Sequence, residues 1–369
     1  MELFGLMAKN KTKGGGALLG TRLAADIGGT FTDVAAFDEK SGRMLLGKSL
    51  STPGHLVDGI SHGVQKAGAR FDDAHVFLHG STVVINAMLE RIGARAALVT
   101  TMGFRDVYEI GRINRPDSYN LFFRKHRPLV ERALCFEIDE RMTAEGEVFR
   151  PLDEASVERV CDALIARDIE AVAILLLHSY ANPDHEIRVR EIVRRRMPGA
   201  FVTASHELTQ EYREFERTST VVANAFVGPN TRRYIAGIET HLKQSDFDGA
   251  FLLVQSTGGL YEATQAKSEC VRMLESGPAA GVIGARALCR ELGLDDAVAF
   301  DMGGTSAKAG VIYKGEALTT GAALIGGYNE ALPIQIPMID IFEVGTGGGS
   351  IAGVGEGGAL SVGPRSAGA

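Results

Sequence analysis

The sequence carries two short stretches that repeat each other, DIGGTFTD at residues 26–33 and DMGGTSAK at residues 301–308. Each stretch follows one short apolar run and precedes another, a pattern that predicts two strands joined by a tight glycine turn. Glycines let the backbone bring its N–H groups close to a polyphosphate, and Thr30, Thr305 and Ser306 add hydroxyl donors. A single copy could be a plain hairpin turn. Two copies predict a pair of phosphate-binding loops.

The strands that follow both loops exclude two common nucleotide-binding folds. The dinucleotide motif G-x-G-x-x-G and the P-loop motif each lead into a helix, whereas both loops here lead into a strand. Asp26 and Asp301 stand at the ends of the preceding strands, and Asp33 closes the first copy. Carboxylates at such places can hold hydrated Mg²⁺ or orient a nucleophile. We therefore predict Asp26, Asp33 and Asp301 as catalytic residues, with Asp26 and Asp301 as metal ligands.

Outward from the loops, the chain divides into a leader and two α/β regions. Residues 1–20 hold lysines and a glycine run, which are typical of a flexible leader. Residues 21–200 begin with an antiparallel meander and continue as alternating helices and strands, the pattern of a sheet covered by helices. Residues 201–369 open with a helix over residues 212–243, interrupted at Gly228-Pro229, and contain the second loop. This region is expected to be truncated at its C-terminus.

The overall composition restricts the kinds of partner. The 369 residues carry a net charge of −7, which argues against a surface that coats nucleic acid. The four cysteines are scattered without a CxxC pair, which indicates reduced thiols in a cytoplasmic protein. No apolar run of about eighteen residues occurs, so no membrane span is expected. A small ligand and protein partners are the classes that remain.

Several further segments are similar to those of one known family. They are HGSTVVINA (79–87), GFRDVYEIGR (103–112), LHSYANP (177–183), EYREFERTST (211–220), SGPAAG (276–281) and GTGGGSIA (345–352). With the two loops, they resemble the hydantoinase A, 5-oxoprolinase and acetone carboxylase family of the actin/sugar-kinase/Hsp70 ATPase superfamily, over residues 22–369. Residues 21–200 resemble its hydantoinase A N-terminal domain, and residues 201–369 its hydantoinase/oxoprolinase domain. The implied architecture is an α/β, two-domain actin-like (ribonuclease H-like) ATPase fold with mixed sheets flanked by helices.

The resemblance also implies which residues hold the cofactors ATP and Mg²⁺. Those for the nucleotide lie in the loops and in the glycine-rich segment on the adenosine side: Gly28, Gly29, Thr30, Thr32, Gly303, Gly304, Thr305, Ser306, Gly345, Gly347, Gly348, Gly349 and Ser350. By composition alone, the glycine-rich segment would be a flexible linker. Lys308 departs from the family pattern, in which many members carry aspartate. Its side chain either contacts phosphate or points to solvent.

A second set of residues is expected to contact the substrate: His79, Thr82, Asn86, Arg105, Asp106, Glu109 and Arg112. His79 ends an apolar strand, a place that suits ligand contact, although a hydrogen-bonded structural histidine fits equally well. The charges of residues 105–112 alone favour a solvated face in which Arg105 pairs with Glu109. The resemblance favours a segment that lines the substrate cleft.

The family implies an ATP-hydrolysing cyclic amidase. Hydantoin, N-methylhydantoin or 5-oxoproline would be phosphorylated at the amide oxygen and then opened by water, because phosphorylation removes the resonance that stabilises an amide. The implied partner is a hydantoinase B-type subunit or domain, and the implied assembly is an oligomer. Two alternatives stay open: an ATP-using subunit of an acetone- or acetophenone-type carboxylase, and a non-catalytic ATP-binding switch subunit.

Overall fold

The computed structural model describes residues 20–29, 31–52, 56–112, 119–123, 125–304, 306–326, 331–355 and 357–367. Residues 1–19 of the predicted leader lie outside the described residues, as do the predicted ligands Thr30 and Thr305. Within the described ranges, three sheets of six, four and four strands are flanked by helices.

The first sheet contains the first loop. Its strands, in spatial order, are β12 (Leu260–Glu262), β11 (Ala250–Val254), β4 (Ala74–Ser81), β1 (Thr21–Ile27), β2 (Phe31–Asp38) and β3 (Arg43–Leu50). The meander β1-β2-β3 is antiparallel, whereas β1, β4 and β11 run parallel. Because β11 belongs to this sheet, residues on both sides of position 200 build it. The sheets therefore do not divide at residue 200, where the sequence places the domain boundary.

One face of the first sheet is packed, and the other is open. Leu23, Ala25 and Ile27 of β1 are buried against α1 (Leu56–Lys66) and the C-terminal end of α7 (Glu214–Gln244). Side chains alternate between the two faces of a strand, so the residues between them point the other way. The strand therefore carries Asp26 away from the core and towards the open face.

A second sheet lies between β4 and β11 in the chain, and all its strands are parallel. In spatial order they are β10 (Phe201–Ala204), β9 (Ala171–Leu175), β5 (Ala96–Thr101) and β6 (Cys135–Ile138). Helices α4 (Glu154–Ile165) and α5 (Asp184–Arg196) cover one face, and α7 covers the other. This two-sided burial explains the continuous apolar sequence of β9. Shorter elements of this region are α2 (Val83–Leu89), α3 (Val107–Ile110), β7 (Arg141–Met142), β8 (Val148–Arg150) and α6 (Ser205–Leu208).

Helix α7 runs through Gly228 and Pro229 without a break, so the interruption expected from the sequence is wrong. A proline inside a helix removes one backbone hydrogen bond. Packing on both sides of Pro229 holds the helix together: the Phe201 ring lies so close to Gly228 that an added Cβ would stand 2.4 Å from it. Further along, Ile238 is buried in the core of the first sheet. Tertiary packing here outweighs the local preference.

The third sheet contains the second loop. Its strands are β13 (Ala297–Met302), β14 (Ala307–Tyr313), β15 (Glu316–Ala317) and β20 (Ile341–Val344), with α9 (Ser276–Leu292) packed on one face. The remaining elements are α8 (Ala263–Ala266) and the pairs β16 (Thr319–Thr320) with β19 (Met338–Ile339), β17 (Ala323–Ile325) with β18 (Leu332–Ile334), and β21 (Ser350–Val354) with β22 (Leu360–Ser366). In the part of the chain that the structure describes, no helix has both the length and the apolar character to cross a membrane.

Candidate phosphate-binding cleft

The two glycine loops have the same backbone arrangement. In the first, the Gly28 N–H donates to the Phe31 carbonyl at 2.9 Å, and in the second the Gly303 N–H donates to the Ser306 carbonyl at 3.0 Å. Each loop joins two antiparallel strands in the same register: β1 pairs with β2 in one hairpin, and β13 pairs with β14 in the other. The sequence repeat is therefore also a repeat of structure, as the alignment of the two loops predicts.

Each hairpin carries a row of three charged residues across its strands. Asp26 lies opposite Asp33, which lies opposite Lys48 on β3. The equivalent row in the third sheet is Asp301, Lys308 and Glu343, on β13, β14 and β20. Residues directly opposite each other in antiparallel strands share a face of the sheet. Each row therefore presents its charges on one face of its sheet. The first member is an aspartate in both rows, whereas the second and third members have opposite charges in the two rows.

The glycine-rich segment 345–350 rests on the second loop. The Gly348 N–H donates to the Gly303 carbonyl at 2.9 Å, and the Gly349 N–H donates to the Gly304 carbonyl at 2.8 Å. The contact leaves no room for a side chain at Gly347, where an added Cβ would stand 2.6 Å from the Gly303 oxygen. The segment is thus an ordered wall of the second loop. The flexible linker that composition alone favours is wrong for these residues.

A cavity of about 770 Å³ lies between the open face of the first sheet and helix α9, with the aspartates of both loops on its walls. Asp26, Asp33 and Lys48 come from the first hairpin, and Asp301 comes from the second. Ser276, at the start of α9, ties the helix to β4, because its hydroxyl donates to the Ser81 carbonyl at 2.9 Å. The fold therefore brings the three predicted catalytic carboxylates to one cleft.

Asp26 has a carboxyl group with a raised pKa. Its carboxylate is packed against two glycines, since a Cβ at Gly277 would stand 2.8 Å from Oδ1 and one at Gly80 would stand 3.0 Å from it. These neighbours crowd the carboxylate, although the residue as a whole is exposed, and the resulting desolvation raises the pKa of Asp26 to about 6. The negative charges of Asp33 and Asp301 raise the pKa further, while Lys308 opposes them. Asp26 is thus a carboxylate that suits a cation or a proton.

Lys308 is held by an ion pair beneath the second loop. Its ammonium lies 2.8 Å from Glu275 Oε2 and 3.9 Å from Glu343 Oε2, and only 15% of its side chain is exposed. Burial raises the pKa of Glu275, while the charge of Lys308 lowers it. By contrast, Asp33 and Lys48 pair at 2.9 Å with more than half of each side chain exposed. Lys308 therefore does not point to solvent in this structure.

The side chains of the cleft include the kind of oxygen donors that a magnesium–nucleotide complex needs. Among the described residues, no three His, Cys, Asp or Glu side chains are already gathered as a metal site. Mg²⁺ commonly takes only one or two carboxylates from the protein and completes its shell with water and substrate phosphates. Asp26 and Asp301, both hard oxygen donors that line the cavity, match that requirement. They are the residues that would hold the ion.

None of the predicted nucleotide-binding residues that the structure describes is part of the cavity wall, and two predicted ligands are buried away from it. Thr32 is fully buried on the opposite face of β2, with its hydroxyl 3.2 Å from the Ser51 hydroxyl. His79 is buried on β4, where its Nδ1–H donates to the Ala25 carbonyl at 3.1 Å and its Nε2 accepts from the Tyr234 hydroxyl at 2.7 Å. Burial lowers the pKa of His79 to about 4. His79 is thus a hydrogen-bonded structural histidine, the alternative that the sequence left open. The burial of Thr32 and His79 contradicts the ligand contacts predicted for them.

The predicted substrate residues next to the first loop serve mainly as its support. Thr82 donates its hydroxyl to the Ile27 carbonyl at 3.2 Å and accepts from the Asn86 side-chain amide at 3.2 Å. That amide lies 3.9 Å from where a Cβ on Gly29 would be, so Asn86 stands directly behind the loop. These two side chains therefore brace the backbone of the first loop.

Three of the charged residues in segment 105–112 form ion pairs with residues outside that segment. Arg132 binds Asp106, Lys125 lies 3.0 Å from Glu109, and Arg112 donates to Glu216 at 2.8 Å. Glu109 thus pairs with Lys125 and not with Arg105, which corrects the expected i,i+4 pair. Glu109 lines a separate pocket of about 300 Å³ together with Arg132. The cavity of about 770 Å³ is lined by other residues, so the structure does not bring this segment to the loops.

Sequence reasoning missed four residues that shape the cleft. Lys48 could have been found, because the turn after β2 fixes the register that places it opposite Asp33. Gly80 and Gly277 leave room for the Asp26 carboxylate, and Glu275 binds Lys308. These last contacts depend on how α9 crosses the sheet, and no local pattern signals that crossing.

Two family models match the chain. The model described as hydantoinase/oxoprolinase N-terminal region matches residues 22–197, and the one described as hydantoinase/oxoprolinase matches residues 217–369. An uncharacterised protein of Methanocaldococcus jannaschii is 40% identical over 95% of this chain and 53% of its own length. Caprolactamase subunit alpha of Pseudomonas jessenii is 34% identical over 94% of this chain and 51% of its own length.

Two solved structures share the fold. The ATP-dependent caprolactamase of Pseudomonas jessenii superposes with a TM-score of 0.81, at 34% identity over 94% of this chain and 51% of that one. The nucleotide-free structure of acetone carboxylase superposes with a TM-score of 0.79, at 29% identity over 95% of this chain and 51% of that one. The chain thus spans about half the length of these proteins. Both have actin-like ATPase folds, which confirms the fold class predicted from the sequence, and the chain belongs to the hydantoinase/oxoprolinase family.

Proposed function

We propose that the chain is the ATP-using part of an enzyme that opens a cyclic amide. The observation that carries this proposal is the pairing of two equivalent glycine loops at one cavity that Asp26, Asp33 and Asp301 line. Such an arrangement suits a polyphosphate whose terminal phosphoryl group lies among the carboxylates. The likeness to a protein named caprolactamase supports a cyclic amide as the second substrate.

The proposed reaction consumes one ATP and two waters for each ring. The amide oxygen attacks the terminal phosphoryl group and ADP leaves. Water then adds to the activated ring carbon, the C–N bond breaks and the nitrogen takes up a proton, which leaves an acyl phosphate. A second water attacks the acyl carbon of this intermediate, and phosphate departs with the former amide oxygen to leave the free carboxylate. The loop N–H groups would hold the phosphate oxygens, and Asp26 and Asp301 would hold Mg²⁺. When bound, Mg²⁺ neutralises phosphate charge and orients the terminal group.

A second candidate is the ATP-using subunit of a carboxylase. The TM-score of 0.79 with acetone carboxylase supports it, and the same loops would then serve to phosphorylate a ketone enolate or bicarbonate. In either case the chain would work with a hydantoinase B-type partner subunit or domain. The subunit designation of the caprolactamase relative supports a partner of this kind. Magnesium dependence, a cytoplasmic location and oligomeric assembly belong to the same proposal.

Phosphate release from ATP tests the two candidates against each other. We expect caprolactam, hydantoin or 5-oxoproline to stimulate release in the presence of the partner subunit, and acetone or acetophenone with bicarbonate to have no effect. Asp26→Ala and Asp301→Ala should each lower the stimulated rate by about 100-fold or more while the chain stays folded. Wild-type rates in either variant would refute the assignment of the loops. Stimulation by ketones alone would favour the carboxylase, and ATP binding without stimulated hydrolysis would favour a switch subunit.

A further inference from the structure

Lys308 stands where the first hairpin has Asp33, so a positive charge replaces a negative one. The proposed reaction assigns Lys308 no role. On β2, the equivalent residue is Asp33, which faces the cavity and pairs with an exposed lysine. On β14, Lys308 is drawn to Glu275, whose side chain is only 11% exposed. A buried ion pair of this kind usually adds little net stability, because both charges lose their hydration. Its position directly after a phosphate loop suggests a use beyond stability.

The placement of Lys308 brings its charge within reach of the cleft. Lys308 lies directly opposite Asp301 and on the same face of the third sheet. Together with Asp301, it lines a cavity of about 160 Å³ under the second loop. Its positive charge is also felt at Asp26, across the phosphate cavity. A lysine side chain has a flexible four-carbon stem, so its ammonium can leave one oxygen for another without movement of the backbone.

We propose that Lys308 is a phosphate-contacting cation of the second loop and that Glu275 holds it until a nucleotide enters the cleft. This inference rests on the proposed function, because it requires a polyphosphate between the loops. The several negative charges of a nucleotide polyphosphate attract the ammonium more strongly than the single carboxylate of Glu275. Lys308 then supplies, on the second loop, a positive charge that the first loop lacks at Asp33. Glu275 acts as a competitor for the lysine and as its positioning residue.

The competition gives the two partners opposite effects on nucleotide affinity. Removing the charge of Lys308 removes a contact to phosphate, so binding becomes weaker. Removing the charge of Glu275 frees the lysine, so binding becomes tighter. A merely structural ion pair behaves differently, because loss of either partner disturbs the same contact and shifts affinity in the same direction.

Isothermal titration of the 369-residue chain with ADP and with a non-hydrolysable ATP analogue, each with Mg²⁺, tests this inference. We expect Lys308→Met to weaken binding by about tenfold or more, Lys308→Arg to retain most of the affinity, and Glu275→Gln to tighten binding. Lys267→Met is the matched control, since Lys267 also forms a half-buried ion pair, with Glu239, outside the cleft. Its nucleotide affinity should equal that of the wild type. Circular dichroism confirms that each variant is folded at the temperature of the titration.

Two outcomes overturn the inference, and they are distinguishable from failure of the proposed function. If the wild type binds nucleotide but Lys308→Met binds equally well, Lys308 does not contact phosphate. If Lys308→Met and Glu275→Gln shift affinity in the same direction, the pair is structural. In both cases ATP use by the cleft still stands. If the wild type binds no adenine nucleotide, the proposed function fails together with this inference.

Discussion

The two glycine hairpins have the same backbone arrangement but different charge patterns. Both have the same strand register and the same N–H to carbonyl bond that closes the loop. Across the strands, however, the first carries Asp26, Asp33 and Lys48, whereas the second carries Asp301, Lys308 and Glu343. The backbone geometry common to both can serve any phosphate group. The side chains give the loops separate tasks.

Burial differs between the hairpins as much as charge does. The Asp33–Lys48 pair is open to solvent, with 58% and 56% of the side chains exposed. The Lys308–Glu275 pair is nearly enclosed, at 15% and 11%. Solvent screens an exposed pair, but an enclosed one leaves an uncompensated charge when either partner is lost. Asp33 and Lys308 occupy equivalent strand positions, but we expect the loss of their ion pairs to change the free energy of unfolding by very different amounts.

The largest expected effect on stability comes from breaking these two pairs in turn. Lys308→Met should lower the free energy of unfolding by about 3 kcal/mol, because it leaves Glu275 buried without its partner. Lys48→Met, the same substitution at the exposed pair, should cost less than about 1 kcal/mol. Urea unfolding followed by circular dichroism measures both. Equal losses in the two variants would show that the difference in burial has no energetic consequence.

A second effect concerns the glycines that cover the loops. At Gly347 an added Cβ would stand 2.6 Å from the Gly303 oxygen and 2.7 Å from the Ser306 nitrogen, so the backbone would have to move. Gly347→Ala should therefore destabilise the chain by about 1–3 kcal/mol and weaken nucleotide binding, as thermal unfolding and titration would show.

Two alanine variants serve as controls for that prediction. Gly348→Ala adds a Cβ at an ordinary 3.7 Å from the Gly303 oxygen, and Gly29→Ala on the first loop adds one at 3.9 Å from the Asn86 amide. Both should leave the thermal unfolding temperature close to that of the wild type. Similar destabilisation at Gly347 and Gly348 would contradict the close packing of the glycine-rich segment on the second loop.

Much of the fold follows from local patterns. The repeated loops and the apolar runs beside them predict both hairpins, and the alternation of β1 separates the buried Leu23 and Ala25 from the cavity-facing Asp26. The order of the first sheet could not be predicted in this way. β11 enters it after more than one hundred and fifty intervening residues, and periodicity identifies a strand without naming its neighbour. The continuity of α7 through Pro229 likewise depends on packing from distant residues.

The site residues also differ in whether a local sequence pattern or a distant contact determines their role. Asp26, Asp33 and Asp301 could be predicted because they belong to the loops themselves, and the structure brings them to one cavity. His79 could not be assigned, since the Tyr234 hydroxyl that satisfies it comes from α7, far along the chain. Glu275 carries no local signal either, because it matters only through its contact with Lys308. Contacts between distant elements cannot be predicted from local sequence patterns.

The last expected effect separates Asp26 from its counterparts through pH. The pKa of Asp26 is about 6 in the folded chain, against an ordinary value of 3.8. A raised carboxyl pKa means that the folded state binds the proton more tightly, so ionised Asp26 destabilises the fold above about pH 6. That penalty declines as the pH falls through 6 and is gone below about pH 4, where the carboxyl is protonated in both states.

Asp26→Asn removes this penalty while it keeps the shape of the side chain. The variant should therefore unfold at a higher temperature than the wild type at about pH 7.5, and the difference should shrink to nothing as the pH approaches 4. Asp33→Asn is the comparison, because it removes the exposed pair with Lys48 and only one of the charges that raise the pKa of Asp26, so its gain should be much smaller than that of Asp26→Asn. The prediction is wrong if Asp26→Asn raises the unfolding temperature equally at every pH, or lowers it at pH 7.5. Ionisation of Asp26 would then not lower the free energy of unfolding.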